Sequence, residues 1–215
     1  FQKGSETISK VTGRNKVVQK SAAIVVGEDH VFQLDTPADW ILDTESGIEH
    51  GLVALFYAKG ETWESAKAFA YSGTVTRDAQ IKTVEDAVAS LVADYRENGH
   101  EAYGATKQEP LQLHSGGVAQ LYQFGGDAFG NHESIAFIPE KKTINFIVLT
   151  SSSKKAFEKA QPTFRELAGS YKYISDDPNN VEEHIAAMKG ANWREEMPTE
   201  VKTPLRQKKK VRRHK

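Results

Sequence analysis

The sequence predicts an α+β fold, a twisted antiparallel sheet flanked by helices. Three observations predict it. Short runs of β-branched and aromatic residues, bounded by turn residues, recur along most of the chain. Two long stretches instead carry a helical apolar stripe, over 83–98 and 153–169. The strand runs between those stretches follow one another across short turns, which favours antiparallel neighbours over parallel crossovers.

Taken in order, residues 1–20 are polar and basic and read as a flexible lead-in, with room for one short strand at Val17–Val18. AAIVVGEDHVFQL, from Ala22, reads as two β runs broken by Gly27-Glu28-Asp29, a turn composition that predicts a hairpin. In the following Thr36-Pro37-Ala38-Asp39-Trp40, Pro37 fixes φ and Trp40 offers a large apolar anchor for the core. Strands are expected over 51–60 (GLVALFYAKG) and 66–76 (AKAFAYSGTVT).

The first helix is expected over 83–98. Thr83 and Asp86 have capping-box spacing, Val84, Ala87, Val88, Leu91, Val92 and Tyr95 form one stripe, and Asn98-Gly99 ends it. Strands follow over 101–107, 111–114, 118–124, 134–139 and 143–150, the last two joined as a hairpin by Glu140-Lys141-Lys142. The second helix, over 153–169, has the stripe Phe157, Ala160, Phe164, Leu167 and Ala168, with Pro162 expected to kink it. The domain is placed at 21–175. A charged extension over 176–215 then carries a short amphipathic helix at 181–189 and a basic tail.

Within this order, residues 32–174 resemble the Mog1/PsbP-like family, including its bacterial relatives of unknown function. The resemblance is carried by a strand running into Pro-x-x-Trp (Phe32, Pro37-Ala38-Asp39-Trp40) and by two strands before the helix at 83–98. A late hairpin running into a closing helix with Phe157 and Phe164 completes it. It implies an α/β/α sandwich and a non-enzymatic role: known members bind a small GTPase or form an extrinsic subunit on the luminal side of photosystem II. The resemblance carries no functional residue onto a position of this chain. It also leaves the basic tail unexplained.

Composition narrows the chemistry. No cysteine occurs among the 215 residues, which excludes disulfides, thiolate metal sites and a cysteine nucleophile. No apolar run approaches the ~20 residues that span a bilayer, so no transmembrane segment is expected. The sequence opens on Phe1 rather than Met. Such a start fits either a removed leader or a trimmed N-terminus. The family resemblance, whose bacterial members are often exported, implies a periplasmic or secreted location, with the cytoplasm as the alternative.

Searches for catalytic patterns find none. No G-x-S-x-G is present, and Ser115 beside His114 would point to opposite faces of a strand. The glycine-rich run 125–130 lacks the Lys-Ser/Thr of a phosphate loop. Asp127, Asn131, His132 and Glu133 gather potential oxygen and imidazole ligands there. Their spacing matches no metal loop, so a solvated loop is the plainer reading, and no cofactor is expected. Asp35, Asp39, Asp43 and Glu45 around Trp40 read as solvated loop carboxylates.

The net charge of −1 conceals an asymmetry, since residues 206–215 hold seven Lys or Arg and no acid, leaving about −8 for the rest. Lys208, Lys209, Lys210, Arg212 and Arg213 form the densest cationic cluster. The tail reads as a solubilising end, as an electrostatic tether to an anionic surface, or as a segment folding back on its own acidic body. No specific nucleic-acid motif accompanies it. The expected function is a non-catalytic binding or assembly protein engaging a protein partner through the sheet face or loops. The alternatives are an enzyme with its site near residues 125–133 and an electrostatic adaptor using the tail.

Overall fold

The structure is a computed structural model that describes residues 22–52 and 54–182. The expected lead-in, most of the expected helix over 181–189 and the basic tail with Lys208, Lys209, Lys210, Arg212 and Arg213 lie outside the described residues.

β1 (Ala22–Gly27) and β2 (His30–Asp35) form the predicted hairpin, in register from Gly27↔His30 to Ala22↔Asp35. β3 (Trp40–Asp43) follows the Pro37 turn, and a 3-10 turn at Ile48–His50 leads to β4 (Leu55–Ala58) and β5 (Phe69–Thr76). α1 (Val84–Glu97) starts at the predicted capping box: Asp86 N donates to Thr83 Oγ1 at 3.1 Å and Thr83 N donates to Asp86 Oδ2 at 2.8 Å. β6 (Gly104–Lys107), β7 (Leu111–Gln112), β8 (Val118–Gly125), β9 (His132–Pro139) and β10 (Thr143–Ser151) come next. α2 (Lys154–Gly169) is capped by Ser153 and runs on through Pro162, and β11 (Lys172–Ser175) closes the order.

The strands form two sheets with antiparallel pairing throughout. The larger has eight strands in the order β3-β4-β5-β10-β9-β8-β6, with β7 also on β8; the smaller has three, in the order β1-β2-β11. The architecture is therefore α+β with a large antiparallel sheet. The sequence led us to expect one sheet, and the hairpin with β11 makes a second. β3 and β11, four residues each, are strands that the sequence reading did not include.

Each face of the large sheet is covered. On one side Val84, Ala87, Val88 and Tyr95 of α1 pack on Leu55, Tyr71, Ile135, Phe137, Phe146 and Val148. On the other, Phe157, Phe164 and Leu167 of α2 and Phe32 and Leu34 of the hairpin pack on Phe56, Leu121, Ile147 and Leu149. Trp40 joins this second core, as expected of an anchor. β10 is central and buried along its whole length, its successive side chains entering the two cores in turn.

A polar chain crosses between the sheets. A His30 ring nitrogen lies 3.1 Å from Thr74 Oγ1, which donates to Asn145 Oδ1 at 2.9 Å; Asn145 Nδ2 donates to the Tyr171 hydroxyl at 2.8 Å. The Tyr171 hydroxyl in turn donates to Glu140 Oε1 at 3.0 Å. Burial lowers the His30 pKa to about 4, against a weaker upward pull from Asp29, so this imidazole is neutral in the fold. Among the described residues no helix is long and apolar enough to cross a membrane.

Candidate functional site

The site is assembled by strand register. On the α1 face, Glu133 of β9 stands opposite Thr150 of β10, and Thr150 stands opposite Phe69 of β5. These side chains share one end of the sheet and form the floor of a cleft of about 660 Å³. Tyr71 of β5 and Tyr95 of α1 extend the lining inward.

Two connections supply the walls. Trp63, from the β4–β5 connection, meets Phe69 edge-on, with ring centres 4.8 Å apart and planes at 72°. His50 lies beyond it, with ring centres 6.0 Å apart. On the other side Phe129 projects from the β8–β9 loop, 47% exposed and 5.5 Å from the His100 ring. That loop is held from within. Asp127 Oδ1 accepts from the backbone N–H groups of Phe129 (3.2 Å) and Asn131 (2.8 Å), and Asp127 Oδ2 accepts from Asn131 Nδ2 at 2.7 Å. His100 Nδ1 accepts from Ala128 N at 3.0 Å. Gly126, at φ +89°, passes so close to the Ala102 backbone that a Cβ would collide with it.

The carboxyl of Glu133 is the polar centre, only 7% exposed. Tyr103 donates its hydroxyl to Oε2 at 2.8 Å, and Tyr103 itself stacks on Tyr95 at 4.0 Å with planes 12° apart. Burial pushes the Glu133 carboxyl up to about 7. The charge of Asp127 adds to the rise, while hydrogen bonds from Tyr103 and Thr150 oppose it. Burial, with the charge of Glu133 added, raises the phenols of Tyr71, Tyr95 and Tyr103. They stay protonated at neutral pH and act as donors, not bases.

Of the four potential ligands in the 125–133 run, Asp127, Asn131 and Glu133 line the cleft together and His132 does not. Glu133 is no loop residue but a buried strand residue. His132, its neighbour on β9, points to the opposite face, where its ring lies 5.7 Å from that of Phe157. Asp127 spends its oxygens on the loop. Asn131 lines the cleft, with a buried Oδ1 that has no hydrogen-bond partner. Among the described residues no group of three or more His, Asp or Glu side chains is placed to hold a metal.

Ser115 and His114 serve the end of α2: Ser115 Oγ donates to the Tyr171 carbonyl at 3.1 Å and His114 N to the Gly169 carbonyl at 2.8 Å. Asp43 accepts from the Tyr57 hydroxyl at 2.7 Å and from the backbone N–H groups of Glu45 and Ser46 at 2.9 Å. Sequence reasoning missed Trp63, Phe69, Tyr71, Tyr95, Tyr103 and Phe129 as site residues. Phe69 and Tyr71 alternate on β5, but the others come from a helix and three connecting segments, and only the tertiary fold brings them together.

Comparison with known proteins finds solved structures that match this chain. This chain is similar to a PsbP structure. The solution structure of cyanobacterial PsbP (CyanoP) from Synechocystis sp. PCC 6803 is among 16 solved chains that match. It is 11% identical, over 74% of this chain and 93% of that one, at a TM-score of 0.43. No family model and no curated protein matches. The similarity assigns no role to any side chain of the cleft.

Proposed function

We propose that this chain is a non-catalytic binding protein whose recognition site is the aromatic cleft on the α1 side of the large sheet. One observation carries the proposal: a preformed concavity of about 660 Å³ with aromatic walls and a single buried carboxyl at its floor. Small-molecule sites are concavities of this size range in which aromatic and apolar walls surround fixed polar groups. The covering of both sheet faces supports the same reading, because it moves recognition from the sheet to the loops at its end. A small organic molecule with a compact apolar body suits the cleft's size and lining. A nucleophile would need a base beside it, and the Ser115 hydroxyl donates to the Tyr171 carbonyl instead.

We place the protein in an exported compartment. The absence of cysteine supports this, since such a chain has no thiol to oxidise or mispair there. Cell fractionation tests the location. The binding reading is tested by calorimetry with small aromatic alcohols. Saturable one-site binding that weakens at least ~10-fold in both Trp63→Ala and Phe129→Ala is expected. Binding insensitive to both changes overturns the assignment of the cleft.

A second reading is favoured by Glu133 alone: a carboxyl that titrates near 7 suits general acid–base catalysis. It predicts turnover of a cleft ligand that Glu133→Gln abolishes.

A further inference from the structure

We infer that the cleft takes an organic ammonium ion, a protonated amine on a compact apolar or aromatic body, with its charge set against Glu133. The inference rests on the binding reading above and names the ligand class.

Three observations converge on it. The first is charge. Glu133 is 7% exposed, and hydroxyl groups, those of Tyr103 and Thr150, are what bond it. The charged group that acts on it is Asp127, of the same sign. A buried carboxylate without a cation is costly, and a cation entering the cleft removes that cost. The elements around the carboxyl supply phenols: Tyr71 from β5, Tyr95 from α1 and Tyr103 from the segment before β6. At the rim stand His50, Glu64 and Lys67, the last two exposed; Lys67 does not figure among the groups acting on Glu133.

The second is the rings. Trp63 and Phe69 meet at 72°, so an aromatic wall stands nearly at right angles to an aromatic floor in the lining. The electron-rich faces of such rings attract a cation and do nothing comparable for an anion.

The third is hydrogen bonding. Asn131 Nδ2 is committed to Asp127 Oδ2 at 2.7 Å, which fixes its Oδ1 as the remaining acceptor, buried and unpartnered. The cleft thus offers a carboxylate and an amide oxygen, and a primary ammonium is a group with three N–H donors and no acceptor. An anion would meet Glu133 and Asp127. A hydrocarbon would leave the Asn131 oxygen unpaired and the carboxylate without a cation.

The test uses the full chain and three probes of one shape: 2-phenylethylamine, 2-phenylethanol and 3-phenylpropanoate. Calorimetry is run at about pH 8 and about pH 5, on either side of the carboxyl's titration. At the higher pH the amine should bind at least ~10-fold tighter than the alcohol, and the propanoate weakest. The preference should shrink at the lower pH. In Glu133→Gln it should vanish while alcohol binding persists, which also shows that the variant is folded. Equal binding of amine and alcohol overturns the ammonium assignment and leaves the cleft as a binding site. Survival of the preference in Glu133→Gln overturns it as well. If none of the three binds, the binding reading falls with it.

Discussion

Replacing Glu133 by Gln should stabilise the protein, and only above a definite pH. The carboxyl titrates at about 7 in the fold and at 4.5 ordinarily. Below 4.5 it is protonated in folded and unfolded chains alike and contributes nothing to the pH dependence. Between 4.5 and 7 the unfolded chain gives up its proton while the fold retains it, so stability falls as pH rises. Above 7 both states are ionised, and the fold carries a fixed penalty of about 3 kcal/mol, at ~1.4 kcal/mol for each tenfold change in proton affinity. Glutamine has no proton to lose and still accepts from the Tyr103 hydroxyl, now 2.8 Å from Oε2. The stability difference between variant and parent should therefore rise by about 3 kcal/mol from about pH 4.5 to about pH 7.5, then level off. Urea unfolding followed by tryptophan fluorescence at a series of pH values measures it. Other titrations, including that of His30, occur in both proteins and cancel. A difference that stays flat across the window would refute the burial and charge environment described for Glu133.

Three further perturbations test the polar chain between the sheets and the loop beside the cleft. His30, lowered to about 4 from 6.5, should make the fold lose about 3 kcal/mol as pH falls from 6.5 to 4, because the unfolded chain takes up the proton first. In His30→Gln that acid sensitivity should disappear from the guanidinium midpoints. Tyr171→Phe strips Asn145 Nδ2 of its acceptor at 2.8 Å, and should cost about 1–3 kcal/mol in chemical unfolding. Gly126→Ala puts a methyl at φ +89° against the Ala102 backbone; it should cost about 1–3 kcal/mol and weaken cleft binding by displacing Phe129.

Both helices and most strands were legible because each carries its own period. The α1 stripe and the Thr83–Asp86 box are local features, and so is the break at Glu28-Asp29. β3 and β11 were not legible. Each is set by its pairing with β4 or β2, a tertiary contact that no local pattern carries. The site failed for a different reason. Composition made 125–133 look like one polar loop, but pairing with β10 extends β9 back to His132. A strand sends His132 and Glu133 to opposite faces. Glu133 stands beside Thr150 of β10 and under Tyr103, and no local pattern near residue 133 encodes that burial.

The sheet order has a consequence for synthesis. β10 is the last of the large sheet's strands to leave the ribosome, yet it sits in the middle, between β5 and β9. Until it arrives, β5 holds out an unpaired edge through Phe69, Ala70 and Tyr71, the kind of surface that invites the wrong neighbour. The β9 edge waits as well. A nascent chain stalled before residue 143 is thus two half-sheets with no midline, and shielding by a chaperone matters most there.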